Sequence, residues 1–356
     1  MNILFSSIHN IDIDGEKTIL RAKENDFNDA LSSMLTRINI EDNLRKYKEK
    51  DESTTVIKNT LKLCDLFINS ALDEQYFNQL SSEIAEKLLE VESEIQEKNL
   101  KTNGQKIQRG SLIQALVSKN NSNKLEYYIA KLEHSEFYSD ASFIKMIGFQ
   151  SDKAKVYKSC KFLIDYSNKS SSIEYADVYI NNKSKYWTKK FLEVEEINDD
   201  EVNTRKSFNS IDLVLVKKLK SKYKSDFQLL RNAFIGYYKV GTRLINYIDM
   251  VNEVVDGLNR VQVSEDILNQ LREDLLKLPD KNNFDKQFTS QPSAITKRKQ
   301  QFSYKVNSGI ELVLNKDESI DDLEHTIISV QENGVQFLKI ITNNQDTFDS
   351  FIRKEK

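Results

Sequence analysis

Apolar positions along the chain change their period several times, and each change predicts a different element. Alternation from Met1 to Asp14 predicts an opening strand. Apolar residues between Asp26 and Ile38 recur at spacings of three and four, which predicts a helix that Asp26 can cap. The next run, STTVIKNTLKLCDLF, is rich in β-branched residues and predicts a strand.

The clearest periodic segment runs from Asp73 to Leu100. Its apolar residues follow intervals of 3, 4, 4, 3 and 4, and its other face is rich in glutamate. This pattern predicts a long amphipathic helix with a solvated acidic face. The helix could also seat a partner helix in a dimer. Its apolar stripe consists of Phe77, Leu80, Ile84, Leu88, Val91 and Ile95.

Between Gln105 and Ile180 the pattern changes to short β-rich runs separated by Asn, Ser, Asp and Lys turns, which predicts an antiparallel sheet. From Tyr186 to Leu278 the pattern is helical again, and Ser264 is a good N-cap for a last helix that Pro279 stops. We therefore expect an α+β fold. Residues 1–185 form an N-terminal α+β domain with a central antiparallel sheet and a long helix, and residues 186–356 form a helical region followed by C-terminal hairpins.

Two hairpin signals close the chain. In the first, a strand with Phe302 and Tyr304 leads through Asn307-Ser308-Gly309 to a strand with Ile310 and Leu312. In the second, the turn is Glu332-Asn333-Gly334. Such turns need positive φ angles, which Gly and Asn tolerate. Alternation places Phe302 and Tyr304, and likewise Ile310 and Leu312, on the buried side.

Composition restricts the classes of function. The chain has 52 basic and 55 acidic residues, so any nucleic-acid contact must come from a local patch. Glycine (9) and proline (2) are scarce, which argues against phosphate-binding glycine loops. Cys64 and Cys160 stand far apart and predict buried free thiols in a reducing cytosol. The sequence contains neither an apolar membrane segment nor a signal peptide, so we expect a cytoplasmic protein.

The best basic cluster lies in the second half of the chain. On a helix, Lys217, Lys220 and Lys224 would share one face and could displace counterions from phosphates. Lysine offers charge without the forked geometry that reads guanine edges, so non-specific DNA binding is predicted. A solvated helix face is the alternative. The predicted DNA-binding residues of this cluster are Lys217, Lys218, Lys220, Lys222, Lys224 and Arg231.

A second basic cluster precedes the first hairpin. Lys297, Arg298 and Lys299 stand just before the strand that contains Phe302 and Tyr304. Aromatic residues beside cations can stack on bases, although the alternation favours a place in the core for both rings. The three cations complete the predicted DNA-binding residues.

Catalytic motifs are weak. Neither a nucleophile elbow nor a dinucleotide fingerprint is present, and no cofactor or metal is predicted. The nearest ligand cluster is His134 beside Glu133 and Glu136. Glu126, Lys131 and Glu133 on one predicted strand faintly resemble the carboxylates and lysine of a metal nuclease, and a surface strand explains them equally well.

The order of motifs in the last block resembles the bacterial 37-kDa nucleoid-associated protein family. The central strands LEYYIAKLEH and KVYKSCKFLID also look like the middle of that family, whereas the stretch from Tyr186 to Lys224 is longer than its linker. The resemblance implies a DNA-binding protein of the nucleoid, linked to type II topoisomerases, with relatives in anti-phage defence operons. It carries over no catalytic residue. The matching positions are Phe288, Ser293, Ile295, Lys297, Arg298, Phe302, Gly309, Ile310, Leu312, Asn333, Gly334 and Ile340.

The sequence therefore favours a non-enzymatic protein that binds DNA weakly through lysine patches and also binds protein. Its partner would be a topoisomerase or a defence-system effector, and a homo-oligomer is expected because homodimers are the commonest assembly. Two alternatives stay open. One is a defence-complex subunit that acts mainly by protein interaction, and the other is a DNA-processing nuclease with a dispersed site.

Overall fold

The computed structural model describes residues 2–23, 27–40, 44–118, 123–138, 145–148, 156–167, 170–180, 185–258, 262–296, 301–314 and 326–352. The chain forms two compact units. The first unit contains Met1–Asp199 and Asp285–Phe288, and the second contains Asp200–Phe284 and Thr289–Lys356. The fold is α+β, as the sequence predicts.

The first unit is built on an antiparallel sheet of eight strands in the order β10-β3-β9-β8-β5-β4-β1-β2. Its strands confirm the predicted opening strand and the predicted antiparallel sheet. Strands β6 and β7 pair separately. The strands are β1 (Asn2–Asp12), β2 (Lys17–Leu20), β3 (Arg45–Glu49), β4 (Gly110–Ser118), β5 (Lys124–Glu133), β6 (Ser135–Tyr138), β7 (Lys145–Gly148), β8 (Val156–Asp165), β9 (Ser172–Ile180) and β10 (Val194–Glu196).

Helices cover both faces of this sheet. One face packs against α2 (Thr55–Ile68) and α3 (Glu74–Thr102), and the other packs against α1 (Phe27–Ile40). The core on the α1 side contains Leu31 and Leu35 of the helix and alternate residues of β4 and β5. A sheet covered on both faces needs strands that are apolar nearly throughout, and β4 is buried at eight of its nine positions.

Helix α3 confirms the predicted long helix. Asp73 caps it, because its carboxylate accepts a hydrogen bond from the Tyr76 N–H at 2.8 Å. The apolar stripe from Phe77 to Val91 is buried against the sheet of its own unit. The apolar stripe is therefore occupied within its own unit.

The segment predicted as a strand at residues 53–67 is helix α2. Its buried residues include Val56, Ile57, Thr60, Leu63 and Cys64, which recur with the period of a helix. The β-branched residues favour a strand locally, but packing of this face against α3 and the sheet outweighs that preference.

The first unit extends beyond the boundary near Tyr186 that the sequence suggested. A π-helical turn, Trp187–Leu192, buries Trp187, Phe191 and Leu192 in the core on the α3 side. Asp285 also belongs to this unit, where its carboxylate accepts a hydrogen bond from the Lys46 N–H at 3.0 Å.

The second unit packs helices around a core that includes Phe208, Leu230, Phe234, Tyr238 and Met250. A 3-10 turn, Pro292–Ala294, also belongs to it, and Pro279 lies in the first turn of α8 after α7 has ended. The helices are α4 (Asp200–Lys218), α5 (Lys224–Lys239), α6 (Tyr247–Asp256), α7 (Glu265–Leu276), α8 (Leu278–Asn282) and α9 (Gln345–Ser350). The strands are β11 (Leu244–Asn246), β12 (Gln287–Thr289), which crosses the boundary between the units, β13 (Phe302–Asn307), β14 (Ile310–Leu314), β15 (Ile327–Glu332) and β16 (Val335–Ile340).

Both predicted C-terminal hairpins form, as β13–β14 and β15–β16. Gly309 has φ 79° in the first turn, and Asn333 and Gly334 have φ 49° and 79° in the second, which is the left-handed region that these residue types tolerate. Their predicted burial is wrong. Ile310 is 59% exposed, Tyr304 is 39% exposed, and Phe302 and Leu312 are half-buried. Among the described residues, no helix combines the length and apolarity that a bilayer crossing demands.

Candidate nucleic-acid interface and buried charge cluster

Four predicted DNA-binding lysines surround the connection between α4 and α5. Lys217, Lys220, Lys222 and Lys224 are all exposed, and we call them the lysine corner. Leu219, which is buried, anchors the connection, since its carbonyl accepts hydrogen bonds from the N–H groups of Lys222 and Tyr223 at 3.2 and 2.7 Å. The tight turn therefore brings four cations to the outside of one helix–helix junction.

The predicted helix face that would unite Lys217, Lys220 and Lys224 does not exist. Helix α4 ends at Lys218 and α5 begins at Lys224, so the three lysines lie on two helices and the turn between them. Buried Leu215 and Leu219 stand four residues apart, so the helical period continues through the turn and hides the break from a reading of the sequence.

The lysine corner carries uncompensated charge. Within the part of the chain that the structure describes, none of its four ammonium groups forms a salt bridge. Lys220 lies over the ring of Phe227, with 6.0 Å between its Nζ and the ring centroid. Exposed, unpaired cations at close spacing are suited to displacing counterions from a phosphate backbone.

Two other predicted DNA-binding residues are engaged inside the second unit. Lys218 forms a salt bridge with Asp274, and the hydrogen bond from its ammonium lowers the pKa of that carboxyl. Arg231 Nε donates to Asp212 Oδ1 at 2.8 Å, and its Nη1 donates to the carbonyl of Gln301 at 3.2 Å. Both side chains are therefore engaged by acidic groups of their own unit.

The remaining predicted DNA-binding residues, Lys297, Arg298 and Lys299, lie outside the described residues. The hairpin that follows them is held against α5 by two amide side chains. Gln228 Oε1 accepts a hydrogen bond from the Lys305 N–H at 2.9 Å, and Asn232 exchanges hydrogen bonds with the backbone of Ser303 at 3.0 and 3.3 Å. These amides take the place of a neighbouring strand, so one edge of β13 is satisfied by a helix.

The first unit also contains a cluster of buried charged side chains that the sequence analysis did not predict. The side chains of Lys131 on β5 and Glu92 on α3 are both 0% exposed and form a salt bridge at 2.6 Å. Tyr186 donates its hydroxyl to the same Glu92 oxygen at 2.7 Å, and Lys131 also contacts the carbonyl of Gln108 at 3.3 Å. The ion pair therefore joins the long helix to the sheet.

Two further charges extend this cluster. Lys158 is the register partner of Lys131 on the neighbouring strand β8, and its ammonium lies 5.0 Å from the ring centroid of Tyr186. Burial, reinforced by the Lys131 charge, lowers the pKa of Lys158. Burial raises the pKa of Glu133. Shifts that bring a carboxyl and an amine closer to neutrality occur at functional sites and also in structural ion-pair networks.

The three residues that faintly resemble a metal nuclease site lie on opposite faces of the sheet. Lys131 and Glu133 belong to the α3 side, whereas Glu126 lies on the α1 side and accepts a hydrogen bond from Tyr128 at 2.8 Å. An odd sequence separation places Glu126 and Lys131 on opposite faces of a strand. Among the described residues, no three His, Cys, Asp or Glu side chains are placed to hold a metal ion together.

The described histidines and cysteines are buried or partly buried. His134 Nε2 hydrogen-bonds Ser111 Oγ at 2.9 Å, and burial lowers the pKa of its ring. His9 is buried and contacts Ser82 Oγ at 3.0 Å. The predicted buried free thiols of Cys64 and Cys160 are confirmed, and burial raises the pKa of both. The side chain of Glu136, and His325, lie outside the described residues.

Comparison with known proteins adds one partial similarity. No family model matches the chain. Over an alignment of 140 residues, the chain is 27% identical to an immunoglobulin A1 protease from Streptococcus pneumoniae, and the match covers 36% of this chain and 7% of that protein. The match therefore spans only a small part of the protease, and this chain is an α+β protein of two compact units, the first of which is built on an eight-stranded antiparallel sheet.

Proposed function

We propose that this protein binds nucleic acid weakly and without sequence preference, through phosphate contacts made by the lysine corner. The observation that carries the proposal is the group of four exposed lysines at the α4–α5 junction, none of which forms a salt bridge with a described residue. With a net charge of −3, the whole chain supplies no attraction of its own, so binding depends on this local charge.

Four phosphate contacts would make binding strongly dependent on salt. For duplex DNA, log K should fall with log[salt] at a slope of about −3.6. Lysines without arginine forks contact the backbone rather than base edges, so affinity should differ little between sequences. These properties suit a nucleoid-associated protein of the cytoplasm, the role that the sequence resemblance suggests.

A charge-reversal variant tests the proposal. Replacing Lys217, Lys220 and Lys224 with Glu should weaken duplex binding at least about tenfold and reduce the salt slope by about 3, because each lost phosphate contact removes roughly one unit. Fluorescence anisotropy with a labelled duplex at several salt concentrations measures both quantities. The melting temperature should barely move, since exposed substitutions usually change stability by less than about 0.5 kcal/mol.

A matched control separates local from global charge. Lys58, Lys98 and Lys101 are exposed lysines of the first unit, and their replacement with Glu changes the net charge by the same amount. This control should keep the affinity of the parent within about threefold, because it changes the net charge without altering the lysine corner, on which binding is proposed to depend. Equal losses in both variants, or no loss in the first, would refute the lysine corner as the binding surface.

Protein interaction is a second candidate function, favoured by the exposed apolar residues of the two C-terminal hairpins. A topoisomerase or a defence-system effector is the partner that the resemblance suggests. A pull-down from native extract with and without nuclease treatment distinguishes the cases, because a partner bridged by DNA is lost on digestion whereas a direct partner stays bound.

A further inference from the structure

Strand β2 covers only half of its neighbour β1. The β1–β2 register runs from His9 to Asp12, and the Arg21 N–H extends it with a hydrogen bond to the Ile8 carbonyl at 2.9 Å. Strand β4 pairs along the other side of β1. On the β2 side, no strand of the described chain pairs with Asn2–Ser7. The first half of β1 is therefore an open edge of the sheet.

The open edge carries unpaired backbone groups. In an antiparallel ladder, alternate residues direct their N–H and C=O groups to the same side. Ser6 therefore directs these groups to the side on which Ile8 binds Arg21. No described residue forms a backbone hydrogen bond with Ser6 there. Such groups are a template on which a further strand can pair.

A cavity of about 430 Å³ lies along this edge. Its volume falls in the range of about 300–1,000 Å³ that is typical of ligand-binding pockets. Residues Ile3–Ser6 of β1 line it, together with Asn28 and Ser32, which stand one turn apart on α1, and the salt bridge of Lys23 with Glu74 of α3. The open edge therefore lies in a groove between two helices, which we call the β1 groove.

The lining of the β1 groove selects an extended, polar occupant. Ser6 offers a backbone donor and acceptor, which an added strand satisfies with its own main chain. The exposed side chains of Asn28 and Ser32 offer an amide and a hydroxyl, which can hydrogen-bond polar side chains of that strand. The Phe5 ring stacks on Phe77 of α3 with 5.5 Å between the ring centroids, so this part of β1 is fixed to the core.

A second copy cannot supply this strand from its own β1. Ser6 is 4% exposed, so the open edge is recessed between the helices that border the groove. The same edge of a second copy is equally recessed. Two recessed edges cannot approach to the spacing of about 4.8 Å that paired strands need. The occupant is therefore a free extended segment.

We propose that the β1 groove binds a short extended peptide of a partner protein, which adds a strand to the open edge of β1. About four residues of peptide span Ile3–Ser6, because a strand advances about 3.3 Å per residue. The peptide main chain supplies the affinity, and its polar side chains contact Asn28 and Ser32. The groove shares no residue with the lysine corner or the C-terminal hairpins, so this inference goes beyond the proposed function, and its test is independent of nucleic-acid binding.

Random heptapeptides displayed on phage and selected on the full chain supply the probe. A selected peptide, labelled with a fluorophore, is titrated by anisotropy. Ser32→Trp should raise its dissociation constant at least about tenfold, because the indole fills the cavity. Ser33→Trp is the matched control, since Ser33 is also exposed on α1 but does not line the cavity, and it should stay within about threefold of the parent. Both variants should melt close to the parent, because exposed substitutions usually change stability by less than about 0.5 kcal/mol.

N-methylation of the selected peptide at single positions tests the added strand itself. Only alternate N–H groups of a paired strand face its neighbour, so the loss should alternate, at least about tenfold at one position and within about threefold at the next. Failure to select a peptide, equal binding by Ser32→Trp and the parent, or a loss that does not alternate would each overturn the proposal. A dimer in light scattering that Ser32→Trp dissociates would identify a second copy as the occupant and would overturn it as well.

Discussion

The central sheet and the C-terminal hairpins contain similar residues, but the sheet is buried and the hairpins are exposed. Strand β4 is buried at eight of nine positions, whereas every residue of β16 is exposed. Both strands are rich in aliphatic residues. Strand β4 has β1 and β5 as neighbours and helices on both faces, while β16 pairs with β15 and has no buried position.

This difference shows that an apolar strand pattern predicts that the strand is covered by other elements, but it does not predict which elements cover it. In the first unit, α1, α2 and α3 supply it from the same chain. In the β15–β16 hairpin, no position is buried. Contiguous exposed apolar residues often mark an interaction site, which is why protein interaction is the second candidate function.

The largest effect on the free energy of unfolding is expected for the buried ion pair of the first unit. Lys131→Met should destabilise the protein by about 3–5 kcal/mol, because it leaves the Glu92 carboxylate buried without its cation. Adding Glu92→Leu should recover most of the loss. The matched hairpin pair, Lys339 and Glu332 at 2.8 Å, is exposed, so Lys339→Met should cost less than about 1 kcal/mol. Urea unfolding of the variants measures the comparison, and equal costs would contradict it.

Truncation of one leucine in each region gives a second contrast. Leu88 of α3 is fully buried, so Leu88→Ala should cost about 2–5 kcal/mol through lost transfer energy and the cavity left behind. Leu338→Ala in β16 should change the free energy of unfolding of the monomer by less than about 0.5 kcal/mol. Thermal and urea unfolding at low protein concentration decide this. A large cost at Leu338 would show that β16 is covered by its own chain.

A smaller effect on the free energy of unfolding is expected from pH, through His9, which is buried in the first unit. Burial lowers the pKa of His9 from 6.5 to about 4. As the pH falls, the unfolded chain therefore binds this proton before the folded chain does. With respect to this group, the free energy of unfolding is highest above pH 6.5 and declines as the pH falls toward 4. Between neutral pH and pH 5 the expected loss is about 2 kcal/mol. Urea unfolding at both pH values should show this slope in the parent and a flatter one in His9→Gln; equal slopes would exclude His9 as its source.

Local sequence patterns were sufficient to predict elements whose structure depends on their own residues. Helix α3 follows from its strict apolar period and its Asp73 cap, and the hairpin turns follow from glycine and asparagine at positive φ. Helix α2 was misassigned because β-branched residues resemble a strand until their buried neighbours are known. The lysine corner was found, but its helix was wrong, because Leu215 and Leu219 keep the helical period across a turn.

By itself, the sequence determined the α+β class, the antiparallel sheet, the long helix, the two hairpins and the lysine-rich stretch, since each depends on residues close together in the chain. Tertiary structure alone decided which charges are available. It paired Lys218 with Asp274 and Arg231 with Asp212, and it placed Lys131 against Glu92, thirty-nine positions away. The physical reason is that secondary structure follows local periodicity, whereas burial and charge pairing depend on contacts between segments that are distant in the sequence.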